Sequence, residues 1–157
     1  MTVVSNVAFI GGGNMARSRI GGLIVRGAAP ADIRVSEPVD TLREALARDF
    51  GVAVGADNAE AVAPAGLWVL AVKPQVMREV CAVLAPLAQA QRPLVVSIAA
   101  GITATQLERW LGGDVAARAP QDEDADHREH DGDQHPEAQD LHRRQRHQHQ
   151  GQGCSDC

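Results

Sequence analysis

The sequence predicts an α/β fold with a doubly wound parallel sheet, and three observations carry that prediction. Short apolar runs alternate with segments of helical periodicity over residues 1–118. The runs are nearly continuous rather than alternating, as parallel strands covered on both faces require. Three adjacent glycines, Gly11, Gly12 and Gly13, follow the first run and open the first helical segment. Repeated strand–helix units of this kind join through right-handed crossovers.

Taken in order, NVAFI (6–10) reads as a buried strand. The helix behind it, from about Asn14 to Arg26, sets Ala16, Ile20, Leu23 and Ile24 on one face. DIRVS (32–36) is the second strand. Thr41 and Glu44 have the spacing of a capping box, so a helix is expected to begin there, with Leu42, Ala45, Leu46 and Phe50 on its apolar side and Gly51 as its C-terminal cap. LWVLAV (67–72) is the third strand. Pro74 suits the first turn of the next helix, whose Val76, Val80, Val83, Leu84 and Leu87 are expected to face inward. LVVSIAA (94–100) is the fourth strand, and Gln106–Leu111 a short helix closed by Gly112.

Charge divides the chain into two segments. Residues 1–118 carry 11 Lys+Arg against 10 Asp+Glu, and residues 119–157 carry 4 Arg against 10 acids. The first segment is read as one domain with a real core. The second holds all six histidines and a single large aliphatic residue, Leu141. It cannot bury enough apolar area to offset its ordering entropy, and disorder is expected. Its dominant residues share codons rich in G and C, so an out-of-frame reading from near residue 119 is a further expectation. No basic patch favours nucleic acid, and no apolar run approaches the roughly 20 residues of a membrane span. The start shows no signal-peptide pattern and the cysteines no disulfide framework, so a cytoplasmic protein is expected.

Gly11, Gly13 and Ala16 satisfy G-x-G-x-x-[GA] between a strand and a helix. In that pattern the first glycine allows the tight turn and the second lets a pyrophosphate approach the main chain. The third small residue lets helix and strand pack closely, and the helix N-terminus offers free N–H groups. Gly11 through Ala16, with Gly12, Asn14 and Met15 included, therefore form a candidate dinucleotide-binding turn of Rossmann type; the alternative is a purely structural turn. Glu37 ends the second strand 21 residues beyond Ala16, where a carboxylate can bond a ribose 2′-hydroxyl. Arg43 offers the opposite choice, a partner for a 2′-phosphate that the small Ser36 would admit. NADPH and NADH both remain open.

Ala71, Val72, Lys73 and Pro74 lie at a strand's C-terminal end, where open α/β sheets bind ligands. Lys73, the only lysine, is either a phosphate or substrate contact or a solvated loop residue. The small residues of SIAAGI (97–102), among them Ala99 and Gly101, leave room for a flat nicotinamide. Cys81 reads as a packing residue rather than a nucleophile. Cys154 and Cys157, near His147 and His149, mimic metal-ligand spacing, but one C-x-x-C without an ordered second pair is read as no metal site.

FIGGGNMA, IGGL, VSEP, DNAEA, LAVKPQ, SIAAGI and LERWLG, in that order, closely resemble the cofactor domain of the pyrroline-5-carboxylate reductase family over residues 5–118. The resemblance implies reduction of the C=N bond of 1-pyrroline-5-carboxylate to L-proline with NADPH or NADH. It implies that Gly11–Ala16 wrap the pyrophosphate and that Ser36, Glu37 and Asn58 flank the adenosine ribose. Ala71–Pro74 would then run beside the nicotinamide, with Ser97–Gly101 as its floor. Two departures stand out. RSR (17–19) makes the helix start more basic, so that Arg17 reaches either the phosphates or solvent. After Arg118 nothing resembles the family's dimerising helical domain, which shapes much of the imine-substrate site, so a truncated, weakly active monomer is expected. Imine reduction asks the protein mainly for orientation, and no catalytic residue is identified. The competing readings are a non-catalytic dinucleotide-binding module and another two-domain dehydrogenase, such as one for β-hydroxy acids.

Overall fold

Strand β1 (Val7–Ile10) lies at the middle of a sheet whose order is β3-β2-β1-β4-β5-β6 with every pairing parallel. The computed structural model of this chain describes residues 6–120. The flanking strands are β2 (Ile33–Ser36), β3 (Ala53–Gly55), β4 (Leu67–Leu70), β5 (Leu94–Ser97) and the two-residue β6 (Ala117–Arg118). Five helices connect them: α1 (Asn14–Val25), α2 (Asp40–Phe50), α3 (Asn58–Val62), α4 (Pro74–Gln91) and α5 (Ala104–Trp110). The chain winds outward from β1 through β2 to β3, then returns to the other side of β1 for β4 to β6. That reversal places a topological switch point between β1 and β4.

Two cores follow from the period-2 alternation of the strands. Phe9, Ile33, Val35 and Val69 pack with Ala16 and Ile20 of α1 and Leu46 of α2. Ala8, Ile10, Trp68, Leu70 and Val95 pack on the opposite face with Val62 of α3, Met77, Cys81 and Leu84 of α4, and Leu107 of α5. Trp68 is fully buried and its indole N–H donates to the Ala65 carbonyl across 3.0 Å, which removes the cost of an unpaired donor in the core.

The doubly wound fold and the apolar face of α1 agree with the sequence reading, as does Gly51, which caps α2 in the left-handed conformation. Other expectations need correction. Helix α2 begins at Asp40, not at a Thr41 cap. Val39 is its N-cap, and the preceding loop is held by Glu37 and Arg43 side chains instead. The capping box occurs at Thr103 and Gln106, which open α5 two residues earlier than expected. Strand β4 ends at Leu70 rather than residue 72. Strand β5 ends at Ser97 rather than residue 100, because the Ser97 hydroxyl accepts the Ala99 N–H and turns the chain out of the sheet. In α4, Val76 and Val83 are exposed, and the buried stripe is Met77, Cys81, Leu84 and Ala88. Strand β3, helix α3 and strand β6 have no counterpart in the sequence reading.

Candidate functional site

The C-terminal ends of β1, β2 and β4 converge on the turn Gly11–Gly13. Gly11 has φ +98°, and a Cβ there would lie 2.8 Å from the Ala71 carbonyl oxygen. Glycine is thus required twice over, by conformation and by the close passage of the β4–α4 loop. Its N–H donates to the Ser36 carbonyl, while the Ala71 N–H donates to the Ile10 carbonyl, both at 2.8 Å. Gly12 is equally confined: a Cβ would meet Leu46 Cδ1 at 2.8 Å and Glu37 Cβ at 3.1 Å. Gly13 differs. It has φ −73°, and nothing stands within 4 Å of the place its Cβ would occupy.

Helix α1 starts from this open side. Gly13 supplies no side-chain cap, the first turn carries no acid, and the first main-chain bond is that from Arg17 N–H to the Gly13 carbonyl. The N–H groups of Asn14, Met15 and Ala16 have no acceptor among the described residues, so a set of donors at the positive end of the helix faces open space. Asn14 and Met15 are exposed and Ala16 is buried against the sheet. This arrangement fits a pyrophosphate.

At the end of β2, Glu37 is a buried carboxylate with 7% exposure. Its Oε2 accepts the Gly12 N–H at 2.6 Å and its Oε1 the Val39 N–H at 3.2 Å. Ser36, also buried, hydrogen-bonds through its hydroxyl to Asn58 Oδ1 at the start of α3. Ser36, Glu37 and Asn58 are therefore brought together beside the glycine turn. Arg43 donates to the carbonyls of Glu37 at 2.7 Å and Pro38 at 3.0 Å and pairs with Asp40, so it braces the β2–α2 loop. Arg17, its side chain partly exposed, pairs with Asp49 and stacks over Phe50 at 5.0 Å from the ring centroid. The Arg17 and Arg48 guanidinium groups hold the Asp49 carboxyl below its usual range.

Ala71 and Val72 are half-buried in the β4–α4 loop, while Lys73 and Pro74 are exposed, Lys73 as the N-cap of α4 and Pro74 as its first residue. Beyond β5, Ala99 is buried and Gly101 adopts φ +82°. These two stand beyond the end of the strand next to β4. A groove of about 1070 Å³ runs from Met15, Ser97 and Ala100 along the half of the sheet that α1 leaves uncovered, over Val69 and Val96. Leu46, whose side chain fixes Gly12, was not anticipated as part of the site; its only signal is its place on the buried stripe of α2. Cys81 is fully buried, as a packing residue should be. The tail, with Cys154, Cys157 and all the histidines, lies outside the described residues. Among the described residues no cluster of metal ligands occurs, and no helix is long and apolar enough to cross a membrane.

Residues 6–101 match the family model described as NADP oxidoreductase, coenzyme F420-dependent. The chain is 52% identical over 106 residues to pyrroline-5-carboxylate reductase of Pseudomonas aeruginosa, a match covering 68% of this chain and 38% of the relative. It is 40% identical over 105 residues to the enzyme of the same name from Vibrio alginolyticus, covering 67% and 38%. In structure it resembles a pyrroline-5-carboxylate reductase from Coxiella burnetii, with a TM-score of 0.71 and 36% identity over 73% of this chain and 43% of that one. The chain thus spans about two fifths of the length of the curated relatives it matches.

Proposed function

Because the chain belongs to the family described as NADP oxidoreductase, coenzyme F420-dependent, we propose that its described residues are the dinucleotide-binding part of a pyrroline-5-carboxylate reductase. The observation that carries this reading is the open N-terminus of α1. Unpaired N–H groups there meet a Gly13 whose missing side chain leaves space, directly over the β1/β4 switch point. The relatives named above supply the choice of reaction, reduction of 1-pyrroline-5-carboxylate to L-proline.

Gly13 and the first turn of α1 would hold the pyrophosphate, with Ser36, Glu37 and Asn58 around the adenosine ribose. Ala71–Pro74, Ala99 and Gly101 would flank the nicotinamide. A bound NADH or NADPH supplies the hydride. The protein's own task is then orientation: the β4–α4 loop, pinned by the Ala71 N–H and packed against Gly11, provides a rigid wall. A protonated imine is already electrophilic, so positioning accounts for most of the rate. We assign the groups that hold the substrate carboxylate to the part of the relatives beyond the matched region. In this reading the matched region contributes the cofactor site, and the protein works in the cytoplasm on a small soluble imine.

The test measures binding of each reduced cofactor, proline formation from 1-pyrroline-5-carboxylate and sedimentation on one preparation. Binding with turnover far below about 10 per second is the expected result. Absence of dinucleotide binding contradicts the reading. Turnover at the ordinary rate would place a complete substrate site within these 157 residues.

A further inference from the structure

We propose that Arg17 is a positioning residue: by tying the first turn of α1 to α2, it holds the open N–H groups of that turn in place for a pyrophosphate. The proposal rests on the dinucleotide reading above and adds a residue that acts from outside the phosphate contacts. The turn has little restraint of its own. Gly13 gives no side-chain cap, the first turn carries no acid, and Asn14 and Met15 are exposed. A helix end without a cap frays, and donors that must be ordered on binding cost affinity.

The restraint comes from α2. Leu46, Asp49 and Phe50 lie three and four residues apart on that helix and so share one face. Leu46 confines Gly12. Asp49 pairs with Arg17, and the Arg17 guanidinium lies over the Phe50 ring. Phe50 also packs close to α1 one turn later, where a Cβ at Gly21 would stand 3.4 Å from its Cε1. The Asp49 carboxylate is itself held from both sides, with Oδ2 toward Arg17 and Oδ1 toward Arg48 at 3.1 Å. Within α1, the Arg17 N–H makes the bond to the Gly13 carbonyl at 2.9 Å that closes the first turn. A side chain anchored at this residue therefore fixes the turn whose donors are open.

Titrations of ADP and of adenosine into the 157-residue protein, Arg17→Met and Asp49→Asn, with unfolding curves alongside, test this role. ADP carries a pyrophosphate and adenosine none, so only ADP reads the donors. Both variants should bind ADP about fivefold more weakly than wild type, as expected for a partly exposed ion pair, and should bind adenosine as wild type does. Asp49→Asn separates positioning from direct contact. Removing a negative charge, and freeing Arg17 to reach a phosphate, would tighten ADP binding if Arg17 acted on the ligand itself. Tighter or unchanged ADP binding by Asp49→Asn overturns the proposal, as does unchanged ADP binding by Arg17→Met. An equal loss of adenosine binding overturns it too, because it would mark a general disturbance of the fold. If wild type does not bind ADP, the dinucleotide reading falls and takes this assignment with it; failure in the variants alone leaves that reading standing.

Discussion

The Gly12 main-chain N–H and Glu37 Oε2 meet at 2.6 Å, so one hydrogen bond ties the turn after β1 to the end of β2. On the opposite side of the same turn, Gly11 touches the main chain of Ala71. The three strand ends at the switch point are thereby locked together, and Gly13 alone of the three glycines is left facing open space.

This division of labour predicts opposite responses to one added methyl group. Gly11→Ala forces a Cβ against the Ala71 carbonyl in a backbone conformation that L-residues avoid, and should destabilise the protein by roughly 2 kcal/mol or more. Gly13→Ala should change stability by less than about 0.5 kcal/mol. Urea denaturation of both variants checks the pair; similar losses would contradict the geometry.

Helix α4 supplies a second contrast between neighbours. Leu84 is fully buried and Val83 is 63% exposed. Leu84→Ala should cost about 2–5 kcal/mol, and Val83→Ala less than about 0.5 kcal/mol. Comparable shifts in melting temperature would mean that the helix packs by a different face.

The same helix shows where the sequence was and was not legible. Apolar residues occupy 76, 77, 80, 81, 83, 84, 87 and 88, which form two overlapping stripes one residue apart. Periodicity identifies the helix but cannot choose between the stripes, and the valines of the outer stripe draw the eye from Met77 and Cys81. The strands were legible because burial on both faces writes a continuous apolar run. Strand β3 and helix α3 were missed because three and five residues carry too little period to detect; the Asp57–Glu60 spacing, realised as a cap between the Asp57 carboxylate and the Glu60 N–H, was the available signal. The positions of the glycine turn after β1 and of Glu37 after β2 could be read from spacing alone. The roles of Arg17 and Arg43 could not, because Asp49, Phe50 and the Glu37 and Pro38 carbonyls become their partners only after α1, α2 and β2 have packed.

Burial pushes the Cys81 thiol from 9.0 up to about 11. The unfolded chain releases this proton as pH passes 9, whereas the folded chain holds it until about 11. The stability contributed by the protonated thiol is therefore complete below pH 9 and is lost as pH rises through the folded value, with a total on the order of 2 kcal/mol. The sequence has no tyrosine and a single lysine, so few other groups titrate in that window. Urea midpoints measured between about pH 8 and 11 should fall for wild type and fall less for Cys81→Ala. Parallel profiles would contradict the assignment.

We propose that a dinucleotide pyrophosphate sits on the open side of Gly13. Gly13→Val tests it most directly, because a negative φ and an empty surround let the fold accept the side chain while filling the space the phosphates need. Calorimetric titration of NADH into wild type and variant, with unfolding curves alongside, is the measurement. Saturable binding to wild type is expected, with none detectable to a variant of unchanged stability. Undiminished affinity in the folded variant would contradict it.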